Sequence, residues 1–241
     1  MDELYICHTC TSDSFIHITE NHVLETKRYD ENVDIHPVTC FFYGAANYRK
    51  DDSKKMIGCG PVTILFRLSN MPSLIQTMHP FDSGAFNDKY GTHKDITNFT
   101  YASPTLDLIK KYIVVFFDDN HKYFMNIPLD LGEIQERFIT HEIMSNIHEI
   151  LKDQNSDYRS SVIELKTDRH IGLSLSEKIV CDYSFASNIN NLLGLKKLHN
   201  ENKIIFYRVE GVSPPPNASK YYDAMRDKVH EIILTNCINN N

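Results

Sequence analysis

Residues 40–49, Cys-Phe-Phe-Tyr-Gly-Ala-Ala-Asn-Tyr-Arg, constrain this chain more than any other stretch, because an apolar, strand-like start runs into a glycine, two alanines and a polar aromatic end. Cys40, Phe41 and Phe42 predict the buried end of a short strand. Gly44 frees the backbone to turn, and Ala45 and Ala46 permit close approach of another backbone or a flat ligand. Tyr43, Tyr48 and Arg49 are then expected to face a cleft. Tyrosines at such a turn also cap cores with the ring in and the hydroxyl out, so both readings stand at the level of sequence.

The elements around this stretch follow no regular alternation. Leu4 to Cys7 predicts a strand ending at His8-Thr9, and Thr11-Ser12-Asp13 caps a helix from about Ser14 with Phe15, Ile18 or His22, and Val23 on one face. Residues 50–60 form a polar, glycine-punctuated loop, and Val62 to Leu68 a strand buried on both faces. Leu74 to Met78 predicts another strand, ending in a turn at His79-Pro80-Phe81-Asp82-Ser83-Gly84 that can line a site. Ser103-Pro104 supplies a cap and a first-turn proline for a helix over Leu106 to Phe117, although Ile113 to Phe117 alone would read as a strand, and apolar spacing predicts a helix over Ile134 to Leu151.

Strands are expected at Ser161 to Thr167, Lys178 to Tyr183 and Lys203 to Val209. A helix at Ile189 to Leu198 turns Leu192, Leu193 and Leu195 inward, and a last helix covers Ala218 to Leu234, followed by a disordered tail near 239–241. Without a repeat or a linker-like shift in composition, 1–241 reads as a single α+β domain rather than a doubly wound parallel sheet.

Of the 241 residues, 41% are hydrophobic and 24% charged, with 13 Tyr, 13 Phe and no Trp, which places the chain in the ordinary globular class. A net charge of -7 argues against a surface made for general phosphate attraction, while leaving room for a local basic patch. With no window near the ~18 apolar residues of a membrane span and six scattered cysteines, the expectation is a soluble, cytoplasmic protein without membrane partners.

His8-Thr9 at a strand end, the aromatic run from Phe41 to Arg49 and a later strand carrying Glu164 make an ordered trio of His, Tyr and Glu. This order resembles the ADP-ribosyltransferase superfamily, in particular its compact members, the DNA-modifying ADP-ribosyltransferase toxins and the RNA 2′-phosphotransferases. Arg159-Ser-Ser-Val-Ile-Glu164-Leu is similar to the segment that delivers the catalytic glutamate in those toxins. The likeness covers short pieces of roughly the first 185 residues.

It implies an α+β, split β-sheet core with flanking helices and a cleft for NAD or a related dinucleotide. Glu164, His8 and Tyr43 would be the catalytic core, and Thr9, Tyr48, Arg49 and Arg159 would bind the cofactor. Val162 stands where protein-modifying members often carry a polar or acidic residue. The implied acceptor of ADP-ribose is therefore DNA, RNA, a nucleotide or water.

Elementary chemistry supports the roles. Breaking the nicotinamide glycosidic bond develops positive charge on the ribose, which a carboxylate beneath the ring stabilises. His8 can donate to a ribose hydroxyl, Tyr43 can stack on a ring, and Arg49 or Arg159 can pair with phosphate. Each also has a plainer reading as a core histidine, a core aromatic or a solvated charge. Asp82 and Ser83 can approach substrate, though no step falls to them from sequence.

Two other classes compete. Cys7 and Cys10 with Cys40, Cys59 and His36 offer zinc ligands, but without a second tight pair, and the expectation is no metal. A non-catalytic nucleotide or nucleic-acid binding module would stack bases on Tyr43 and Tyr48 and use Arg49, Lys50, Lys54 and Lys55 for phosphate.

Overall fold

The computed structural model describes residues 2–27, 36–47, 60–71, 73–86, 95–137, 147–148, 150–151, 159, 161–189, 193–209 and 218–238. The strands in chain order are β1 Ile6–Cys10, β2 Val23–Leu24, β3 Thr39–Tyr43, β4 Val62–Phe66, β5 Thr77–His79, β6 Tyr101–Ala102, β7 Glu164–Thr167, β8 Ile171–Gly172, β9 Lys178–Asp182 and β10 Ile204–Tyr207. The helices are α1 Ser12–Asn21, α2 Ser83–Ala85, α3 Leu106–Phe117, α4 Asn120–Phe124, α5 Leu131–Arg137, α6 Leu193–Asn200 and α7 Ala218–Ile233.

Eight strands form one mixed sheet in the order β10-β9-β4-β1-β3-β7-β5-β6, and β2 pairs with β8 as a separate ribbon. Every pairing in the large sheet is antiparallel except β9 with β10. Such a sheet with helices packed around it is an α+β architecture.

Local chemistry explains most boundaries. Thr11 accepts the Ser14 N–H at 3.3 Å and starts α1, which buries Phe15, Ile18 and Thr19 and stops at His22 in the left-handed region. The expected face therefore holds at Phe15 and Ile18, whereas Val23 has already entered β2. The cap of α3 is Thr105, which accepts the Leu108 N–H at 3.2 Å, and not Ser103.

Strand β5 starts at Thr77 rather than Leu74, and β7 starts at Glu164 rather than Ser161, because the residues before each run as turn or extended coil. The helix expected over 134–151 is seen as α5 and as helical residues 147–148 and 150–151, with the intervening stretch outside the described residues. In α6 Leu195 is buried, but Leu193 is 85% exposed and so not part of the core, and Leu192 lies outside the described residues. The loop at 50–59 and the tail at 239–241 also lie outside them.

Strand register assigns each side chain to a face. Cys7 pairs with Leu65 on one side and with Phe42 on the other, Phe42 pairs with Glu164, and Glu164 pairs with His79. Directly opposed residues share a face, so this row lies on one side of the sheet. Their strand neighbours His8, Phe41, Tyr43, Ile64 and Leu165 lie on the other. Helix α7 covers the Cys7 side, where the Thr63 hydroxyl donates to Met225 Sδ at 3.0 Å.

Tyr123 of α4 ties the end of β3 to the approach to β7. Its hydroxyl donates to the Tyr43 carbonyl at 2.8 Å and accepts the Ile163 N–H at 3.0 Å. Removing a buried hydroxyl with two partners strands both of them. Tyr123→Phe is therefore expected to lower unfolding free energy by roughly 2–4 kcal/mol in urea titration; a loss under ~0.5 kcal/mol contradicts the bridge.

Candidate functional site

The strongest concentration of buried polar side chains among the described residues surrounds Glu164. Position 164 alternates with the core residues Ile163 and Leu165, so its side chain leaves the Phe41 side and enters the face that carries His79 and Lys166. Glu164 is 3% exposed. Its Oε2 accepts the Ser83 N–H at 3.0 Å and lies 3.8 Å from His79 Nδ1 and 3.9 Å from Lys166 Nζ. The last two contacts are electrostatic rather than hydrogen-bonded at that length.

The turn after β5 brings a second carboxylate. The Asp82 N–H donates to the Arg159 carbonyl at 3.0 Å, its Oδ1 accepts the Gly84 N–H at 3.0 Å, and its Oδ2 accepts from Asn47 Nδ2 at 3.2 Å. Stacking of Phe81 on Phe86 and an edge contact of Phe81 with Phe99 anchor the turn. Burial, reinforced by the negative charge of Glu164, pushes the Asp82 carboxyl up to about 6, against the opposing pull of Arg159. His79 Nε2 and the Thr100 hydroxyl are 3.1 Å apart, which fixes the imidazole.

A cavity of about 320 Å³ is lined by Tyr43, Gly44, Ala45, Ala46, Tyr123, Val162 and residues of α7 that include Arg226 and His230, and Glu164, Asp82, His79 and Lys166 are not among its lining residues. The Tyr43 N–H donates to the Ile163 carbonyl at 2.9 Å, and Val162, which lines the cavity, stands two residues before Glu164 in the chain. Two extended residues span roughly 7 Å, which sets the cavity wall about that far along the backbone from Glu164. Ala46 lines the cavity and is followed in the chain by Asn47.

The residues expected from sequence divide. Glu164 and Arg159 enter the cluster. His8 does not, because β1 register puts it on the opposite face: its Nδ1 donates to the Cys40 carbonyl at 2.9 Å, and its ring packs against Phe41. Burial holds the His8 pKa below the ordinary histidine value. With Thr9 it lines a separate cavity of about 180 Å³ against α1, and the Thr9 and Thr63 hydroxyls are 2.9 Å apart.

Tyr43 is fully buried, and it is one of the residues that line the cavity. Its hydroxyl accepts the Leu4 N–H at 3.0 Å, and its ring packs against Tyr123. β3 puts the ring on the same face as Phe41, opposite to that of Cys7. Gly44 then turns the chain at φ +69, where an added Cβ would sit 2.8 Å from Leu4 Cδ1. Tyr48 and Arg49 lie outside the described residues, as do Lys50, Lys54, Lys55 and Cys59.

The sequence reading missed His79, Lys166 and Asn47. Lys166 was recoverable, since it stands two residues after Glu164 on one strand face. Cys7 and Cys10, three apart on β1, point to opposite faces and cannot share one ion. Among the described residues no group of three or more His, Cys, Asp or Glu side chains is placed to hold a metal, and no helix is long and apolar enough to cross a membrane.

In comparisons with known proteins, no family model matches the chain, no curated protein matches it and no solved structure matches it.

The Asp82 proton is held more tightly in the folded state than in the unfolded chain, where the ordinary value is 3.8. Stability from this source is complete below about pH 4 and is lost as pH rises through about 6. The loss is on the order of 2–3 kcal/mol. Asp82→Asn is therefore expected to melt higher relative to wild type at pH 7 than at pH 4, measured by thermal denaturation; a pH-independent difference contradicts the assignment.

Proposed function

We propose that the protein cleaves the nicotinamide glycosidic bond of NAD or a related dinucleotide, as an ADP-ribosyltransferase or NAD glycohydrolase with an ADP-ribosyltransferase-like core. The observation that carries this reading is the pair of buried carboxylates, Glu164 and Asp82, the second of them held by Asn47, which directly follows the Gly44 to Ala46 stretch that lines the cavity. A volume of about 320 Å³ is at the lower end for small-molecule sites, and suits one nucleoside half of a dinucleotide. His8 is not part of this site, and Tyr43 enters it only as a lining residue of the cavity.

The division of labour follows from the two environments. Glu164 is the carboxylate assigned to stabilise positive charge on the ribose as the bond to nicotinamide breaks and the electron pair passes to the ring nitrogen. Asp82, with a pKa near 6, is mostly ionised at neutral pH and close to the value that suits a general base. It takes the proton from water or from an acceptor hydroxyl as the new carbon–oxygen bond forms. Arg159 keeps Asp82 from rising further, and Lys166 offsets the charge of Glu164. The apolar wall at Val162 favours a nucleic-acid, nucleotide or water acceptor over a protein side chain.

Nicotinamide release by purified protein, with and without DNA or RNA, tests the reading. Glu164→Gln and Asp82→Asn are expected to lose at least ~100-fold in kcat, and His8→Gln to stay within ~10-fold of wild type. The wild-type rate should climb with pH through about 6, and Asp82→Asn should lose that dependence. Absence of release under every condition, or a loss in His8→Gln equal to that in Glu164→Gln, contradicts it.

A further inference from the structure

The cavity of about 180 Å³ between β1 and α1 lies on the sheet face opposite Glu164, and its lining is graded by burial. Cys10, Ile18 and Leu24 are each less than a tenth exposed and form an apolar deep end, whereas His17, Glu25 and Lys27 are exposed and stand at the mouth. Burial pushes the Cys10 thiol up to about 12, so it brings no charge to the interior. The Thr9 hydroxyl is engaged by Thr63 at 2.9 Å. His8, 8% exposed, also lines the cavity at this depth.

The hydrogen bonding of His8 fixes what it offers there. A carbonyl oxygen only accepts, so the 2.9 Å contact of Nδ1 with the Cys40 carbonyl puts the ring proton on Nδ1. Burial, with a smaller contribution from the charge of Lys27, holds the His8 pKa below the ordinary value, so the ring is neutral and Nε2 carries a lone pair. Nε2 has no hydrogen-bond partner among the described residues and is not sealed from solvent, so it opens on the cavity that His8 lines. Since no three metal-ligating side chains among the described residues are placed to hold an ion, its complement is a hydrogen-bond donor.

Ser14 supplies the opposite half. Its Oγ accepts the Thr11 hydroxyl at 3.0 Å, which leaves its own proton to donate, and it lines the same cavity. A ligand hydroxyl can donate to one of these groups and accept from the other, while an apolar body fills the space against Ile18, Val23 and Leu24. We propose that this cavity binds a small uncharged alcohol, phenolic or aliphatic, whose hydroxyl donates to His8 Nε2 and accepts from Ser14 Oγ. The volume is too small for a nucleotide, and the site does not depend on the reading of Glu164 and Asp82.

The test titrates the full chain with phenol, and with toluene and anisole, which keep the ring but lack the donated proton, while following the nitrogen NMR signals of the His8 imidazole. Wild type is expected to bind phenol at least ~10-fold more tightly than either control, with the Nε2 signal shifting as phenol binds and Nδ1 holding its position. Ser14→Ala is expected to lose about 5-fold in phenol affinity and none for toluene. His8→Phe is expected to bring phenol and toluene to within ~2-fold of each other.

Wild type that binds phenol and toluene within ~2-fold of each other, or takes up neither at ~10 mM, overturns the proposal whatever the variants do. Phenol binding that leaves the Nε2 signal in place overturns it too, as does an undiminished preference for phenol in a folded His8→Phe. Should His8→Phe fail to fold, the wild-type Nε2 shift and Ser14→Ala decide in its place.

Discussion

The pairing of β3 between β1 and β7 governs which chemistry this protein can assemble. Because side chains alternate at every residue, one step of register decides whether Glu164 meets His8 or His79. The observed register aligns Cys7, Phe42, Glu164 and His79 and sends His8 to the other side. Gly44 at the end of β3 then turns the chain, and the following Ala45 and Ala46 floor the cavity while Asn47 reaches Asp82. A slip of one residue at β3 would dissolve the site without touching its sequence.

The cluster is costly to fold. Glu164, Asp82 and Lys166 are each less than a tenth exposed, and taking charges out of water costs several kcal/mol apiece before pairing repays it. The protein offsets this with two backbone N–H groups, the Asn47 amide and the nearby cations, but Asp82 still pulls its proton tighter. An apolar layer of similar volume would stabilise the sheet more simply. That so costly a cluster persists fits a site kept for chemistry rather than for stability.

Elements with strong local signals were legible in the sequence. The β-branched run from Val62, the helix from Leu106 and the strand from Lys178 are all found close to where apolar patterning puts them. Glu164 was legible as a strand residue, and the Pro and Gly around Asp82 marked a turn able to line a site. Facing was not legible for Tyr43, because its side depends on partners 80 and 120 residues away, Tyr123 and Ile163. The same holds for His8, whose separation from Glu164 is a property of two ladders and not of any local motif. Leu193 misled because its helix presents Leu195 to the core and leaves its first turn outside.

The most direct measurement is a crystal structure of the protein with ADP-ribose bound. The account predicts the terminal ribose against Glu164 and Asp82, with the remainder of the ligand in the cavity bounded by Gly44 to Ala46, Val162 and α7. Ligand on the opposite face of the sheet, seated between β1 and α1 against His8 with Glu164 untouched, would contradict it.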